Sequence, residues 1–309
     1  MGGALYSHVA GFSHETGTRH PERPERLQAV LTALDADQFS ELERKEAPLA
    51  TIEQLGLVHT PNHIQHLMGL IPEEGRVNVD PDTVISSGSG EAALRAAGAV
   101  CSAVDDVFSG NADSAFCAVR PPGHHAEPNR AMGFCLFNNI AIGALHARTK
   151  HGAERIAVID FDVHHGNGTQ AAFENDPNLF YGSTHQYPFY PGTGAVTETG
   201  VANNIVNVPL AMNSGSAQFQ KAVSDVLLPA VNEFGPDFVM ISAGFDAHRD
   251  DPLGQLQLVD EDYVWVTERL CEIANDHSSG RVVSSLEGGY DLEALGRCVA
   301  AHVSVLMGH

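Results

Sequence analysis

Lysine is scarce in this sequence, and so are cysteine, tryptophan and long apolar runs. Its 309 residues contain 17 Lys plus Arg against 39 Asp plus Glu, a net charge of −22, and the only lysines are Lys45, Lys150 and Lys221. So large a negative charge repels polyphosphate and anionic lipid, which argues against binding to nucleic acid or to a membrane surface. The same charge is compatible with a cationic or neutral partner.

The chain also lacks the signals of export and of membrane insertion. No apolar run approaches the ~18 residues of a membrane span, and the N-terminal residues show no basic segment followed by an apolar one. The five cysteines are odd in number, form no CxxC and lie in apolar surroundings. We therefore expect reduced thiols in a cytoplasmic protein.

Short runs rich in Val and Ile alternate with longer helical patterns along the chain. The continuous apolar runs at 156–159 and 238–241 are typical of strands buried on both faces of a parallel sheet. This alternation predicts an α/β protein: a single domain, residues 1–309, with three α/β/α layers and a mostly parallel central sheet. The predicted strands are 4–9, 115–119, 155–161, 179–183, 204–210, 237–243 and 281–286. The predicted helices are 24–36, 61–70, 90–108, 137–149, 216–233, 261–276 and 291–306.

Three long segments rich in Gly, Pro, His and Asp each follow a predicted strand. They are 120–136, 184–203 and 244–260. In open parallel sheets ligands bind beyond the carboxyl ends of the strands, so we expect these loops to converge on one site.

A candidate metal site comes from two of the strand ends. In the extended segment Asp160 to His164, residues two apart point the same way, so Asp162 and His164 share a face with Asp160 behind them. Asp246, just beyond another buried strand, completes an Asp₂His set with an open position, as in catalytic zinc sites. A competing interpretation is that strand-end aspartates cap the following helix. Arg249-Asp250-Asp251 is interpreted as solvated rim.

Candidate acid–base groups lie on the other loops. His124 and His125 follow two prolines and could serve a metal-bound water, with Asp160 and Asn167 orienting their second nitrogens. Tyr290, after two glycines, could donate a hydrogen bond to a developing oxyanion. Aromatic residues on these loops are compatible with a narrow channel and equally with ordinary loop packing.

These motifs together resemble the zinc-dependent histone deacetylase family, in its class II and bacterial amidohydrolase branch, with the arginase–deacetylase fold. The resemblance spans nearly the whole chain. The similar segments are HPERPERL (20–27), RPPGHHA (120–126), GFCLFNN (133–139), DFDVHHGNGTQ (160–170), YPGTG (190–194), SAGFDAHRDDPLG (242–254) and EGGYD (287–291).

The resemblance implies one zinc ion per chain, held by Asp162, His164 and Asp246. His125 is similar to the family's general base and His124 to its electrostatic and proton-transfer partner, oriented by Asn167 and Asp160 respectively. Tyr290 would polarise the acyl carbonyl, and Arg23 falls near the acetate-release region. The substrate-binding residues implied in this way are Ser89, Gly133, Phe134, Tyr190, Leu253 and Gly289. A structural potassium ion is also implied, held by Asp160, the backbone of Asp162 and His164, and Ser183 and Thr184.

The expected function is removal of acetyl or related acyl groups from an acylated lysine peptide or a small acylated amine. Tyr190 stands where the family usually has phenylalanine. Leu253 stands where polyamine-selective relatives carry an acid, which favours an acyl-lysine substrate. The alternatives are an acetylpolyamine amidohydrolase, an inactive acyl-lysine-binding module and a dinuclear ureohydrolase, the last disfavoured because Gly166 and Gly244 replace its ligands. A homo-oligomer is compatible with the sequence.

Overall fold

Eight parallel strands form the central sheet, and the computed structural model describes residues 2–308 of the chain. The strands are β1 Ala4–Ser7, β2 Glu43–Glu46, β3 Arg76–Asn78, β4 Val84–Ser86, β5 Ser114–Cys117, β6 Ile156–Asp160, β7 Leu179–Gln186, β8 Ile205–Leu210, β9 Phe238–Ala243 and β10 Val282–Leu286. The strand order in the central sheet is β2-β1-β5-β10-β9-β6-β7-β8, and every pairing in this sheet is parallel. A separate antiparallel hairpin consists of β3 and β4.

Helices cover both faces of this sheet. They are α1 Pro24–Ala33, α2 Ile52–Leu55, α3 Pro61–Gly69, α4 Ser89–Ser109, α5 Asn139–His151, α6 Asn167–Phe173, α7 Ser216–Ala222, α8 Leu228–Phe234, α9 Asp260–His277 and α10 Leu292–Leu306. A π-helical turn at Val223–Leu227 joins α7 to α8, and short 3₁₀ turns occupy Val9–Phe12 and Asp37–Phe39. Among residues 2–308, no helix combines the length and the apolarity that crossing a bilayer requires.

Alternate residues of the buried strands pack into two different hydrophobic cores, one on each face of the sheet. Ala157 and Ile159 of β6 pack in the core beneath α1, α7, α9 and α10, whereas Ile156 and Val158 pack in the core beneath α4 and α5. This division follows from the two-residue period of an extended chain, which sends successive side chains to opposite faces. The three-layer α/β/α fold with a parallel central sheet is therefore confirmed.

Every predicted strand and helix has a counterpart, and the differences lie in short or polar elements. The edge strand β2 was missed because its sequence, Glu-Arg-Lys-Glu, is charged, as edge strands often are. The helix α6 was missed because glycines, which have low helix propensity, flank Asn167. The predicted loop 184–203 is wrong at its start, because β7 continues in polar but buried residues as far as Gln186. The predicted helix 216–233 is interrupted by the π turn.

The strand order brings the site loops together. β5, β10, β9, β6 and β7 are consecutive neighbours in the sheet, and all are parallel. Their carboxyl ends therefore lie along one edge, where the segments that follow them meet.

Candidate active site

Three buried donor residues converge where β6 and β9 end side by side. Nδ1 of His164 lies 3.0 Å from Oδ1 of Asp162 and 3.1 Å from Oδ2 of Asp246. One ligand atom from each of the three residues lies within 4.8 Å of the others. Two carboxylates and an imidazole at this spacing fit a divalent transition-metal ion. The structure thus brings together the three residues that the sequence proposed as ligands.

Backbone groups hold these carboxylates in place, and two glycines make room for them. Asp162 Oδ2 accepts a hydrogen bond from the backbone N–H of Gly288 at 2.8 Å, and Asp246 Oδ1 accepts one from Val163 at 2.8 Å. A Cβ atom at Gly244 would lie 2.1 Å from Asp162 Oδ2, and one at Gly288 would lie 2.1 Å from Asp246 Oδ2. A side chain at either position would displace a carboxylate.

The two carboxylates differ in their proton affinity. Burial alone would raise the pKa of Asp162, but His124 and His164 outweigh it and hold that pKa well below its usual range. Burial, reinforced by the negative charge of Asp162, raises the pKa of Asp246 to about 7. The histidines thus favour the ionised form of Asp162, whereas burial beside Asp162 favours the protonated form of Asp246. A cation bound between the two carboxylates would favour the ionised form of both.

His124 lies between two carboxylates. Its Nδ1 is 2.9 Å from Oδ2 of Asp160, and its Nε2 is 3.8 Å from Oδ2 of Asp162. Burial lowers the pKa of His124, but these two negative charges outweigh it and raise the pKa to about 10. The imidazole is therefore a stable cation at neutral pH.

His125 has the opposite electrostatic surroundings. Its Nδ1 lies 2.8 Å from Oδ1 of Asn167, a neutral partner. Burial, together with the positive charges of His124 and His164, holds the pKa of His125 well below its usual range. The pair thus offers one charged and one neutral imidazole, with ring centroids 4.0 Å apart.

A narrow cavity of about 80 Å³ opens onto these groups. The rings of Phe134 and Tyr290 meet edge to face at 5.9 Å, and the Tyr190 ring lies 5.2 Å from that of His125. The predicted site residues that line the cavity are His125, Gly133, Phe134, His164, Tyr190, Leu253 and Tyr290.

Two predicted substrate-binding residues do not line this cavity. Ser89 is fully buried at the start of α4, where its hydroxyl bonds His14 Nδ1 at 2.7 Å and the Ser86 N–H at 2.7 Å. The cavity has Asp82 instead, from the turn between β3 and β4. The carbonyl of Gly289, the residue before Tyr290, accepts a hydrogen bond from Arg26 Nε at 2.6 Å.

Arg26 approaches the ring of Tyr290. Its guanidinium lies 4.8 Å from the centre of that ring and is fully buried. Arg23 is the half-buried residue that precedes α1. Its assignment to an acetate-release region stays a prediction.

Asp251 is buried, and its interpretation as solvated rim is wrong. Its Oδ2 accepts hydrogen bonds from the backbone N–H groups of Tyr290 at 2.6 Å and Asp291 at 3.2 Å, and its Oδ1 accepts one from Leu253 at 2.9 Å. One carboxylate therefore joins the loop after β9 to the loop after β10. A run of charged residues in a loop carries no sequence signal for such a contact.

The residues proposed for potassium lie on two adjacent strands, β6 and β7, and in the segment that follows β6. Asp160 of β6 is paired in register with Ser183 of β7, and both are fully buried. Asp160 Oδ1 accepts the Asp162 N–H at 3.1 Å, and Ser183 Oγ lies 2.9 Å from His185 Nδ1. Thr184 follows Ser183 and is also buried.

Comparison with known proteins agrees with this geometry. The sequence model of the histone deacetylase domain family matches residues 20–306 of this chain. Histone deacetylase 14, chloroplastic, of Arabidopsis thaliana is 36% identical over 324 residues, which cover 98% of this chain and 76% of the relative. A probable deacetylase of Archaeoglobus fulgidus is 39% identical over 292 residues, covering 93% of this chain and 80% of the relative.

A solved structure extends the similarity to three dimensions. The crystal structure of the HDA15 HD domain superposes with a TM-score of 0.93 at 36% identity, covering 100% of this chain and 88% of that one. Similarity in sequence and in fold therefore covers the segments that carry the site. This chain belongs to the histone deacetylase family and is a deacetylase-type enzyme that hydrolyses amides.

Proposed function

We propose that this protein is a zinc-dependent amidohydrolase that removes acetyl or related acyl groups from N-ε-acyl-lysine or a similar acylated amine. The observation that carries the proposal is the convergence of Asp162, His164 and Asp246 beside a cavity lined by His125 and Tyr290. A metal-ligand set, a neutral base and a hydroxyl donor at one cavity are the components that amide hydrolysis requires.

Each residue has a distinct part in the proposed reaction. Zinc bound by Asp162, His164 and Asp246 would supply Lewis-acid polarisation of the acyl carbonyl and of the attacking water. His125, neutral because its pKa is lowered, accepts the proton of the water. His124, cationic because its pKa is raised, stabilises negative charge nearby. A protonated histidine donates its proton to the leaving nitrogen as the C–N bond of the amide breaks, which releases the amine and the carboxylate.

Tyr290 is the proposed oxyanion donor. Burial raises the pKa of its hydroxyl well above the usual range, so the group keeps its proton at neutral pH. A hydroxyl that stays protonated at the cavity wall can donate to the oxygen of a tetrahedral intermediate throughout the reaction.

The cavity favours a slender acyl-amine arm. Its walls include Phe134 and Tyr190, and Leu253 presents an apolar side chain. Asp82 adds a carboxylate that can accept an N–H from the substrate. Because the same carboxylate can pair with an ammonium group, it also favours the second candidate function, hydrolysis of an acetylated polyamine.

The test compares the two substrate classes on one zinc-loaded preparation. We expect turnover of an acetyl-lysine peptide with a higher kcat/KM than that of an acetylated polyamine, loss of activity with a chelator and recovery with zinc. His125→Ala abolishes turnover, whereas His66→Ala, at an exposed histidine of α3, preserves it. Activity that survives complete metal removal contradicts the zinc proposal. Binding of the peptide without turnover supports the binding module instead.

Three further assignments belong to the same proposal. Potassium would be held by Asp160, the backbone of Asp162 and His164, and Ser183 and Thr184. Residues 1–309 act as one catalytic domain. The protein is cytoplasmic, which is a prediction from the sequence. Histone deacetylase 14 of Arabidopsis thaliana, in contrast, is chloroplastic by name.

A further inference from the structure

A glutamate outside the cavity completes a hydrogen-bonded chain to the candidate base. Asn167 Nδ2 donates to Oε1 of Glu127 at 2.8 Å, while Asn167 Oδ1 lies 2.8 Å from Nδ1 of His125. The backbone of Glu127 is itself held, because its N–H donates to the Arg130 carbonyl at 2.9 Å and its carbonyl accepts from the Arg130 N–H at 3.3 Å. The carboxylate therefore reaches Asn167 from an anchored turn.

The carboxylate decides which way the Asn167 amide faces. The two ends of a carboxamide are nearly equal in shape, but one donates and the other accepts. A carboxylate only accepts, so the NH₂ group faces Glu127 and the carbonyl faces His125. An inverted amide would place its oxygen against a carboxylate oxygen of Glu127 and turn its NH₂ group, a donor, towards Nδ1 of His125.

The orientation of the amide in turn determines the tautomer of His125. A carbonyl oxygen at 2.8 Å requires a proton on Nδ1, so the lone pair of the neutral ring lies on Nε2. The other acceptors near Asn167 Nδ2 are the His125 carbonyl and Met132 Sδ, both at 3.4 Å. The carbonyl contact is long and a thioether sulfur is a weak acceptor, which leaves Glu127 as the strongest acceptor for this NH₂ group.

We propose that Glu127 is a positioning residue for the hydrolysis, acting through Asn167 to keep the proton of His125 on Nδ1 and the lone pair on Nε2. The inference rests on the proposed function in one respect, that His125 is the base. His124 needs no such relay because the Asp160 carboxylate contacts its Nδ1 directly. The two histidines are thus oriented by chains of different length and charge.

The first measurement is steady-state kinetics of zinc-loaded variants. We expect Glu127→Ala to lower kcat about tenfold, on the scale of losing an orienting partner, with KM and zinc content little changed. Glu127→Gln retains most of kcat because its side-chain carbonyl can still accept from Asn167. Glu233→Ala, at an exposed glutamate of α8, serves as the matched control and keeps the wild-type rate.

A double-mutant cycle tests whether the effect passes through Asn167. Asn167→Ala lowers kcat, and adding Glu127→Ala to it has no further effect if Glu127 acts only through that amide. Additive losses, or a Glu127→Gln variant as slow as Glu127→Ala, overturn the relay. If His125→Ala is fully active, the base assignment of the proposed function fails, whereas an active Glu127→Ala beside a slow Asn167→Ala rejects the relay alone.

A measurement that needs no turnover reads the tautomer directly. In ¹⁵N spectra of the histidine rings of the zinc-loaded protein, with His125 assigned by its loss in His125→Ala, we expect a single Nδ1–H form in the wild type and in Glu127→Gln. Glu127→Ala shows signals shifted towards the other tautomer. An unchanged Nδ1–H pattern in Glu127→Ala overturns the proposal.

Discussion

The two adjacent histidines acquire different charge states, because carboxylates flank His124 whereas burial and neighbouring positive charges keep His125 neutral. His124 faces the carboxylates of Asp160 and Asp162, whereas His125 faces the amide of Asn167. Both rings are buried, so neither difference is averaged out by water. The charged imidazole of His124 is suited to stabilising negative charge, and the neutral imidazole of His125 is suited to accepting a proton.

Tyr290→Phe tests whether the Tyr290 hydroxyl donates a hydrogen bond to the oxyanion. The change removes one hydroxyl from the cavity wall, and we expect kcat to fall roughly 100-fold, the effect of losing one oxyanion donor. Zinc content stays at the wild-type value because Tyr290 is not a proposed ligand. Steady-state kinetics with metal analysis checks both results.

Tyr263→Phe is the matched control. The Tyr263 hydroxyl is buried and has no hydrogen-bond partner among residues 2–308. Because a buried hydroxyl without a partner is unfavourable, its removal keeps activity and raises the free energy of unfolding by about 1 kcal/mol. Equal kcat values for Tyr290→Phe and the wild type would contradict the proposed role of Tyr290.

At the scale of elements, the site depends on loops that approach one another closely. The loop after β10 passes so near the loop after β6 that the Gly288 N–H bonds Asp162. Asp251 fastens the loop after β9 to that after β10. The parallel sheet supplies the rigid edge from which all of these segments project.

Gly288→Ala should disrupt the metal ligands. Its Cβ would lie 2.1 Å from Asp246 Oδ2 and 2.6 Å from Asp162 Oδ2, distances at which one atom must move. We expect metal affinity to fall about 10- to 100-fold, as when the support of a ligand is lost. Titration with zinc against a competing chelator measures the change.

The matched glycine is Gly69, at the end of α3, where a Cβ would meet no atom within 4 Å. Gly69→Ala leaves metal affinity unchanged and adds about 0.5–1 kcal/mol of stability, since alanine favours a helix. Metal affinity that is equal in both alanine variants would show that close approach at Gly288 does not constrain the ligands.

At the scale of the whole molecule, several histidines are buried as neutral groups. Burial lowers the pKa of His59, His165 and His302 to about 3 and that of His185 to about 4. Their value in an unfolded chain is 6.5. Between these limits each of the four histidines binds a proton in the unfolded chain but not in the folded one, so their contribution to folding becomes less favourable as pH falls below about 6.5.

Urea unfolding from about pH 7.5 to about pH 5.5 measures this loss of stability. The free energy of unfolding of the wild type should fall with decreasing pH. His302→Leu removes one buried histidine, and over this range its slope should be shallower by about half a proton on average, or about 0.7 kcal/mol per pH unit. A slope equal to that of the wild type would contradict the assignment of His302.

Sequence patterns could predict those features of the fold and the site that depend on a few neighbouring residues. Buried strands such as β6 and β9 are apolar without interruption, so their type and their parallel arrangement could be predicted. Asp162 and His164 could be paired from their spacing, because a two-residue period is a property of any extended chain. The family resemblance was likewise carried by short contiguous motifs.

Tertiary structure alone decided which distant groups meet. Asp82 rather than Ser89 reaches the cavity, Arg26 lies on the ring of Tyr290, and Glu127 bonds Asn167 across 40 positions of sequence. Such contacts depend on how helices and loops pack over the sheet edge, and no periodicity encodes them. The sequence by itself therefore determined the layers of the fold and the chemical groups of the site. Packing decided their partners, because burial and distance set hydrogen bonding and charge.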